Sequence, residues 1–294
     1  MRVVLGGIVR NIENNIEQIF KFIFTLKQVL PTLEVCLYEN NSTDKTKELL
    51  NELKNHLDYV SVVCEDYPEE YFIKSFPART FKNEGCRIHK IAFARNKLLE
   101  MINKKQSDFI IMMDLDIKII PDVNIIGNII YSFPTYIHAI FANGIQGTGH
   151  YYDGYEFRSE QLPYGPEILG DKFWTDEHMA KIQHKYDPNG VLIPVISAFG
   201  GLAIYRADVI KDCFYSADIT DELKEFYSKF EIEKPNQTHY NGCSLGIYID
   251  NIFYKNNSGY NYPVCAEHVN FHLAIRKKGF TNMFIFPGLL YYWS

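Results

Sequence analysis

Apolar and polar residues follow two different periods along this chain, and the order of those periods predicts its architecture. Val3 to Val9 is an apolar run of strand length, after which Ile12, Ile16, Ile19, Phe20, Ile23 and Leu26 recur at helical spacing, with Asn11 placed to cap the helix. A second strand, Glu34 to Tyr38, ends in Glu39-Asn40-Asn41-Ser42-Thr43-Asp44, a cluster of turn and cap residues that opens a helix holding Leu49, Leu50 and Leu53. Val60 to Cys64 reads as a third strand, and Arg87 to Asn103 as a helix leading into the apolar strand of DFIIMMDLDI, residues 108 to 117. Strand and helix alternating in this way predict an α/β fold with a mostly parallel central sheet flanked by helices.

The second half is less regular. It offers His138 to Asn143 as a strand, the strand-like SAFGGLAIYR, and a helix from about Glu267 to Lys278. Between them, Gly144 to Pro194 is rich in Gly, Tyr and Pro and long for a structureless loop, which points to function or a mobile lid. With no internal repeat, low-complexity tract or linker, the chain is expected to form one unit, residues 1–294.

Composition narrows the classes. A chain of 294 residues buries roughly three quarters of its unfolded surface and needs no staples. Hydrophobic residues at 47% and charged residues at 22% describe a globular protein; the aromatic share, 15%, serves mostly as core filling. A net charge of -6 argues against nucleic acid as a partner, while leaving room for a local basic pocket that takes one diphosphate. The six cysteines are scattered without any C-x-x-C, which suggests buried thiols in a reducing compartment. The start, MRVVLGGIVRN, is too quickly polar for a signal peptide or anchor. Val123 to Tyr152 lacks Asp, Glu, Lys and Arg, yet Asn, Gly, Pro and His interrupt it too often for a bilayer span. A soluble protein without a transmembrane segment is therefore expected, in the cytoplasm or at a membrane surface. The sequons at Asn41 and Asn236 are expected to be unused, the first lying in a proposed active-site loop.

Candidate chemistry starts at Asp114 and Asp116. Strand alternation points both carboxylates to one side, so a hard divalent cation can sit between them, and ligands in open α/β sheets collect beyond the carboxyl ends of strands. An ordinary strand ending in an acidic turn is the alternative. Arg95-Asn96 falls inside the apolar pattern of its helix, so the guanidinium needs a partner, either a sheet-edge carboxylate or a phosphate. Gly200-Gly201 within a strand pattern marks a bulge or a close backbone approach. Glu267 stands at a helix start, where an anion is stabilised and can act as proton acceptor; His268 and His272 share one face of that helix, with a satisfied core histidine as the alternative for His272. Glu39, Asn41 and Asp44 can accept from a base or ribose hydroxyl, or serve as turn and cap residues. Tyr151, Tyr152, Tyr155, Tyr164 and Trp174 can stack on sugar rings or anchor the long segment.

The order of VRN, YENNSTDKT, RIHKIAFARN, MDLDI, FGGLAIYR and AEHVNFHLAIRKKG resembles the metal-dependent nucleotide-sugar glycosyltransferases of the GT-A fold. Within them the chain looks most like the fungal capsule-associated mannosyltransferase group and related giant-virus and algal-virus enzymes, where YYDGYEFR also has a counterpart. The resemblance implies a UDP- or GDP-sugar donor, Mn²⁺ or Mg²⁺ at Asp114 and Asp116, and a glycan or glycoconjugate acceptor. It also implies nucleoside contacts at Arg10 and Asn11, donor contacts at Glu39, Asn41, Asp44, Arg95, Asn96, Gly200 and Gly201, and catalytic roles for Glu267 and His268. Residues 1–120 would be the nucleotide-sugar half and 121–294 the acceptor-binding and catalytic half. It adds a viral factory or virion as a location, and retention of configuration as a course. Many such enzymes carry Glu-Asp where this chain has Glu267-His268, which leaves the base and the third metal ligand, His268 among the candidates, open. Three alternatives remain. A nucleotidyltransferase would want a Gly-rich basic loop where only Gly6-Gly7 stands; a haloacid-dehalogenase-type phosphatase would want Thr or Val where Lys118 stands; a non-catalytic glycan-binding protein would keep the fold alone.

Overall fold

A computed structural model describes residues 1–75, 86–116, 119, 121–145, 151–183, 187, 189–257, 260 and 262–292. In the first half, β1 (Val3–Val9), α1 (Ile16–Val29), β2 (Leu33–Asn40), α2 (Thr46–His56), β3 (Val60–Glu65), α3 (Glu69–Ser75), α4 (Arg87–Ile102), β4 (Phe109–Met113), α5 (Val123–Tyr131) and β5 (Ala139–Ile145) follow one another. The expected cap at Asn11 is corrected. The chain leaves β1 with Asn11 in the left-handed region, φ 52°, and passes through a 3-10 turn, Glu13–Asn15, before α1 begins. The Asn11 side chain turns instead to the loop after β2, accepting from the Thr43 amide at 2.8 Å. The uncharged stretch after Asp122 becomes α5, with the Asp122 carboxylate accepting from the Asn124 amide as N-cap.

The second half carries a 3-10 turn at Gly154–Glu156, α6 (Pro166–Leu169), a 3-10 segment at Gly170–Trp174, α7 (Asp176–Lys181), β6 (Ile193–Pro194) and β7 (Leu202–Arg206). Short helical turns thus fill much of the long connection. There follow α8 (Asp221–Tyr227), the small hairpins β8 (His239–Tyr240) with β9 (Cys243–Ser244) and β10 (Gly246–Ile249) with β11 (Ile252–Lys255), then α9 (Glu267–Lys277) and β12 (Met283–Tyr292).

Eight strands form one mixed, mostly parallel sheet in the order β3-β2-β1-β4-β7-β5-β12-β6. β1 pairs in parallel with both β2 and β4, while β7 runs antiparallel between β4 and β5. The chain therefore winds outward from β1 to β3 and returns to β4 on the other side. The gap between the ends of β1 and β4 is a topological switch point, where open α/β sheets gather ligands. Because β7 is antiparallel, its start, not its end, lies at that same edge.

Helices cover both faces. Ile19, Ile23 and Leu26 of α1, Leu50 of α2 and Ile126 of α5 close one apolar layer on β1, β2 and β4. On the other, Ala92, Leu98 and Ile102 of α4 and Phe271 and Ile275 of α9 pack on Tyr38, Met112 and Tyr205. A satellite cluster joins α8, α9 and Tyr254 of β11. All six cysteines are free; Cys243 is exposed and Cys64 half-buried, unlike the expected buried thiols, because the β8–β9 hairpin stands outside the core. Among the described residues no helix is long and apolar enough to cross a membrane.

Candidate active site

A pocket of about 700 Å³ opens at the switch point. Asp114 and Asp116 reach it because β4 ends at Met113 and hands the next residues to the sheet edge. The Asp114 backbone is held from both sides: its amide donates to the Gly201 carbonyl at 3.0 Å, and the Tyr291 hydroxyl donates to its carbonyl at 2.8 Å. Leu115 between them is buried and packs over Gly7, where a Cβ would lie 2.3 Å from its Cδ1.

Arg95 stands in the buried stripe of α4, in line with Ile88, Ala92, Leu99 and Ile102 at spacings of three and four. Its Nη2 donates to Asp114 Oδ1 at 2.9 Å and its Nε to Glu267 Oε1 at 3.1 Å, so one guanidinium joins the D-x-D strand to the start of α9. Phe199 lies 4.8 Å from its Cζ. The buried arginine has thus found the sheet-edge carboxylate, together with a second carboxylate from α9. The two anions hold it firmly protonated against the cost of its burial.

Glu267 is buried at the N-terminus of α9, and desolvation raises its pKa despite Arg95. His268 also lines the pocket, stacked on Phe199 at 3.9 Å, with neither ring nitrogen hydrogen-bonded; burial and Arg95 depress its pKa, so the ring is neutral. His272 is the satisfied core histidine, sharing its nitrogens with Ser197 Oγ at 2.8 Å and Tyr205 OH at 2.7 Å.

Arg10, Arg95, Asp114, Asp116, Glu267 and His268 therefore meet in one pocket. The other sequence-derived candidates are engaged by the protein. Glu39 accepts from the Ser42 amide, Asn41 exchanges bonds with the Tyr67 backbone, and Asp44 accepts from Thr46 and Glu13 amides. Asn96 clamps the Tyr215 backbone through both ends of its amide. Gly200 and Gly201 have φ of 63° and 86°, and a Cβ on them would strike the Ala142 carbonyl or the Tyr291 ring; the close approach is to the chain's own backbone and aromatic core. None of these residues lines the pocket, although Asn40 does. Lys118 lies outside the described residues.

Two acidic residues were not found from sequence. Asp153 and Glu156, on the turn made by YYDGYEFR, line the pocket opposite the D-x-D pair. An Asp-Gly step among aromatics reads as a turn, and nothing local distinguishes it from one. Asp153 Oδ2 accepts from the Gly200 amide at 2.8 Å, and burial, with the charges of Asp114 and Glu267, pushes it up to about 7. Asp116, an exposed residue on the pocket wall, is pushed up to about 6 by desolvation and the Asp114 charge. Among the described residues, the pocket thus gathers Asp114, Asp116, Asp153, Glu156 and Glu267 around a single buried guanidinium. So many carboxyl groups cannot all ionise without further positive charge. No three His, Cys, Asp or Glu side chains among the described residues form a ready-made metal site, so Asp114, Asp116 and His268 do not complete one alone.

The pocket thus lies at the switch point of a mixed α/β sheet, with Asp114 and Asp116 on its wall. The chain belongs to the glycosyltransferase family described as Cryptococcal mannosyltransferase 1, whose sequence model matches residues 2–244. No curated protein matches the chain in sequence. Similar solved structures include the mannosyltransferase PcManGT from Pyrobaculum calidifontis in complex with GDP-Man and Mn²⁺, at 12% identity, covering 73% of this chain and 47% of that one with a TM-score of 0.39. S. aureus TarS 1-349 in complex with UDP-GlcNAc shares 14% identity over 74% of this chain and 49% of that one, TM-score 0.42. Mannosyl-3-phosphoglycerate synthase from Rubrobacter xylanophilus shares 12% over 71% and 55%, TM-score 0.38. The chain spans about half the length of these structures.

Proposed function

We propose that this chain moves a hexosyl group, mannose on the family's description, from a nucleoside diphosphate sugar to a hydroxyl of a glycan or glycoconjugate. The observation that carries the reading is the D-x-D pair delivered by the central strand into a carboxylate-rich pocket at the switch point. Residues 1–120 hold the nucleotide, with Arg10 after β1 and Asn40 at the end of β2 lining its side of the pocket. Residues 121–294 supply the acceptor-facing and catalytic groups.

The donor set suits Mn²⁺ or Mg²⁺. Two carboxylates that repel one another, with no third protein ligand among the described residues, match a hard cation that takes its remaining ligands from substrate phosphates and water. When bound, such a cation neutralises the charge building on the leaving diphosphate. Asp114 and Asp116 would hold it; Arg95 fixes the Asp114 and Glu267 carboxylates relative to one another. Glu267 then faces the reacting centre. In an inverting course it takes the acceptor proton; in a retaining course it stabilises positive charge near the anomeric carbon. His268, neutral and without hydrogen-bond partners, offers a nitrogen to substrate.

The nucleotidyltransferase alternative loses support from Gly6 and Gly7, which sit inside β1 under Ile102, Met112 and Leu115 and leave no room for a phosphate-cradling loop. The test is donor turnover, with GDP-mannose and UDP-glucose as probes. Turnover should require Mn²⁺ or Mg²⁺ and fall by at least about 100-fold in Asp114→Asn and Asp116→Asn; undiminished turnover in excess chelator rules the metal assignment out.

A further inference from the structure

Glu156 is the pocket residue that neither the ion pairs nor the metal assignment use. It is 7% exposed, it lines the pocket, and its Oε2 has no hydrogen-bond partner. Neither nearby arginine bonds it: Arg95 donates to Asp114 and Glu267, and Arg158 donates through its Nη atoms to Glu167 and the carbonyls of Tyr155 and Phe157, its Nε remaining without a partner. A buried carboxyl oxygen without a partner is costly to keep, so its natural complement is a group that arrives with the ligand. The pocket's charge decides what that group is. Burial raises the pKa of Glu156 and the neighbouring Glu267 and Asp153 charges add to it, so this corner disfavours a phosphate. No three-ligand metal set forms there among the described residues either. A neutral hydroxyl remains, able to donate to a carboxylate or to pair with a carboxylic acid in both directions. The depth of the site selects the sugar. Glu156 is buried beside Glu267, whereas the exposed rings of Tyr152 and Trp174 mark the outer rim of the same pocket.

We propose that Glu156 recognises one hydroxyl of the transferred sugar and so determines donor specificity, with Asp153, fixed by the Gly200 amide, presenting a second acceptor beside it. This inference rests on the glycosyltransferase reading above. A site built to hydrogen-bond a hydroxyl strongly rejects the analogue that lacks it, and that rejection should disappear with the recognising group.

The experiment compares kcat/KM for a parent donor, whichever of GDP-mannose and UDP-glucose is turned over faster, with its monodeoxy analogues in wild type, Glu156→Gln and Glu156→Ala. Wild type should discriminate against one deoxy position by at least about 100-fold. Glu156→Ala should bring that single ratio to within about threefold of unity, and Glu156→Gln, which keeps shape and hydrogen-bonding capacity, should hold an intermediate ratio. Each ratio is internal to one variant, so a general loss of stability does not mimic the effect. Variants that slow parent and analogues equally overturn the assignment while the proposed function stands. A wild-type protein that turns over neither donor overturns that function, and this assignment with it.

Discussion

Glu267 owes its surroundings to where its helix begins. The carboxylate is buried, its pKa is raised by desolvation, and Arg95 fixes its Oε1 at 3.1 Å. Glu267→Gln keeps the shape but cannot take a proton, so sugar transfer should fall by about 10²- to 10⁴-fold while donor affinity is kept, read from kcat and KM separately. Full transfer activity in the variant would return Glu267 to a helix-start anion. Asp153 gives a second residue-scale test, through pH. Its pKa is raised from the usual carboxylate range to about 7, so between about 4 and 7 the folded state holds a proton that the unfolded state has released. That difference weakens the fold as pH rises through this window. Asp153→Asn, which keeps an oxygen for the Gly200 amide and has no charge to bury, should be more stable than wild type at pH 8 in chelator. The advantage, on the order of a few kcal/mol, should vanish toward pH 4, as followed by denaturant unfolding. A variant whose advantage grows on acidification contradicts the assignment. At this scale Asp114 and Asp116, ending an apolar strand, and Arg95, inside an apolar helix pattern, stand out in the sequence, whereas Glu267 stands out only as a helix-start anion and through the family resemblance. Asp153 and Glu156 do not, since their burial is made by Phe199, Gly200 and Glu267, all distant in sequence.

The first half of the chain shows its elements in its periodicity, because β1, α1, β2, α2, α4 and β4 are built from local apolar stripes at strand or helix spacing. The second half hides them. α5 has Asn124, Gly127 and Asn128 among its apolar residues and no charge, so only its Asp122 cap marks a start, and β12 is defined by its pairing in parallel with β5 across a register shift. Gly201 shows how such an element reaches the site. It precedes β7 with φ 86°, a Cβ there would lie 2.4 Å from the Tyr291 ring of β12, and Tyr291 in turn holds the Asp114 carbonyl. Gly201→Ala should therefore cost about 1–3 kcal/mol through overpacking, with backbone strain added, and should lower turnover as Tyr291 shifts. Unfolding midpoints of Gly201→Ala and Tyr291→Phe separate the two effects: the Phe variant removes the bond to Asp114 without adding volume. An unchanged midpoint in Gly201→Ala would mean the ring moves aside freely.

At the scale of the whole molecule, the sheet brings the ends of β1 and β4, the start of β7 and the start of α9 to one edge, and the pocket there is charged in a way that no single ligand satisfies. A divalent cation alone meets two carboxylates and no third protein ligand among the described residues. A nucleoside diphosphate alone meets Asp114, Asp116, Asp153, Glu156 and Glu267 on walls shared with Arg10, Arg87, Lys90 and Arg95, the last already engaged by Asp114 and Glu267. On the proposed function each would supply what the other lacks: the cation would screen the carboxylates, and substrate phosphates and water would supply its remaining ligands. Their binding should therefore be strongly coupled, and coupling of this kind is read as stability, because a ligand that binds only the folded state stabilises it by mass action. At ligand concentrations about 100-fold above Kd the gain is about 2.7 kcal/mol, which for a chain of this size raises Tm by roughly 5 °C. GDP or UDP with Mn²⁺ should reach that shift, while either alone should give less than about 1 °C, so that the joint effect exceeds the sum of the separate ones. Asp116→Asn should keep the fold and lose the joint shift, since it removes a charge from the pair proposed to hold the cation. Shifts that merely add, or a joint shift that survives in Asp116→Asn, would falsify the view that metal and diphosphate share the D-x-D edge of the sheet.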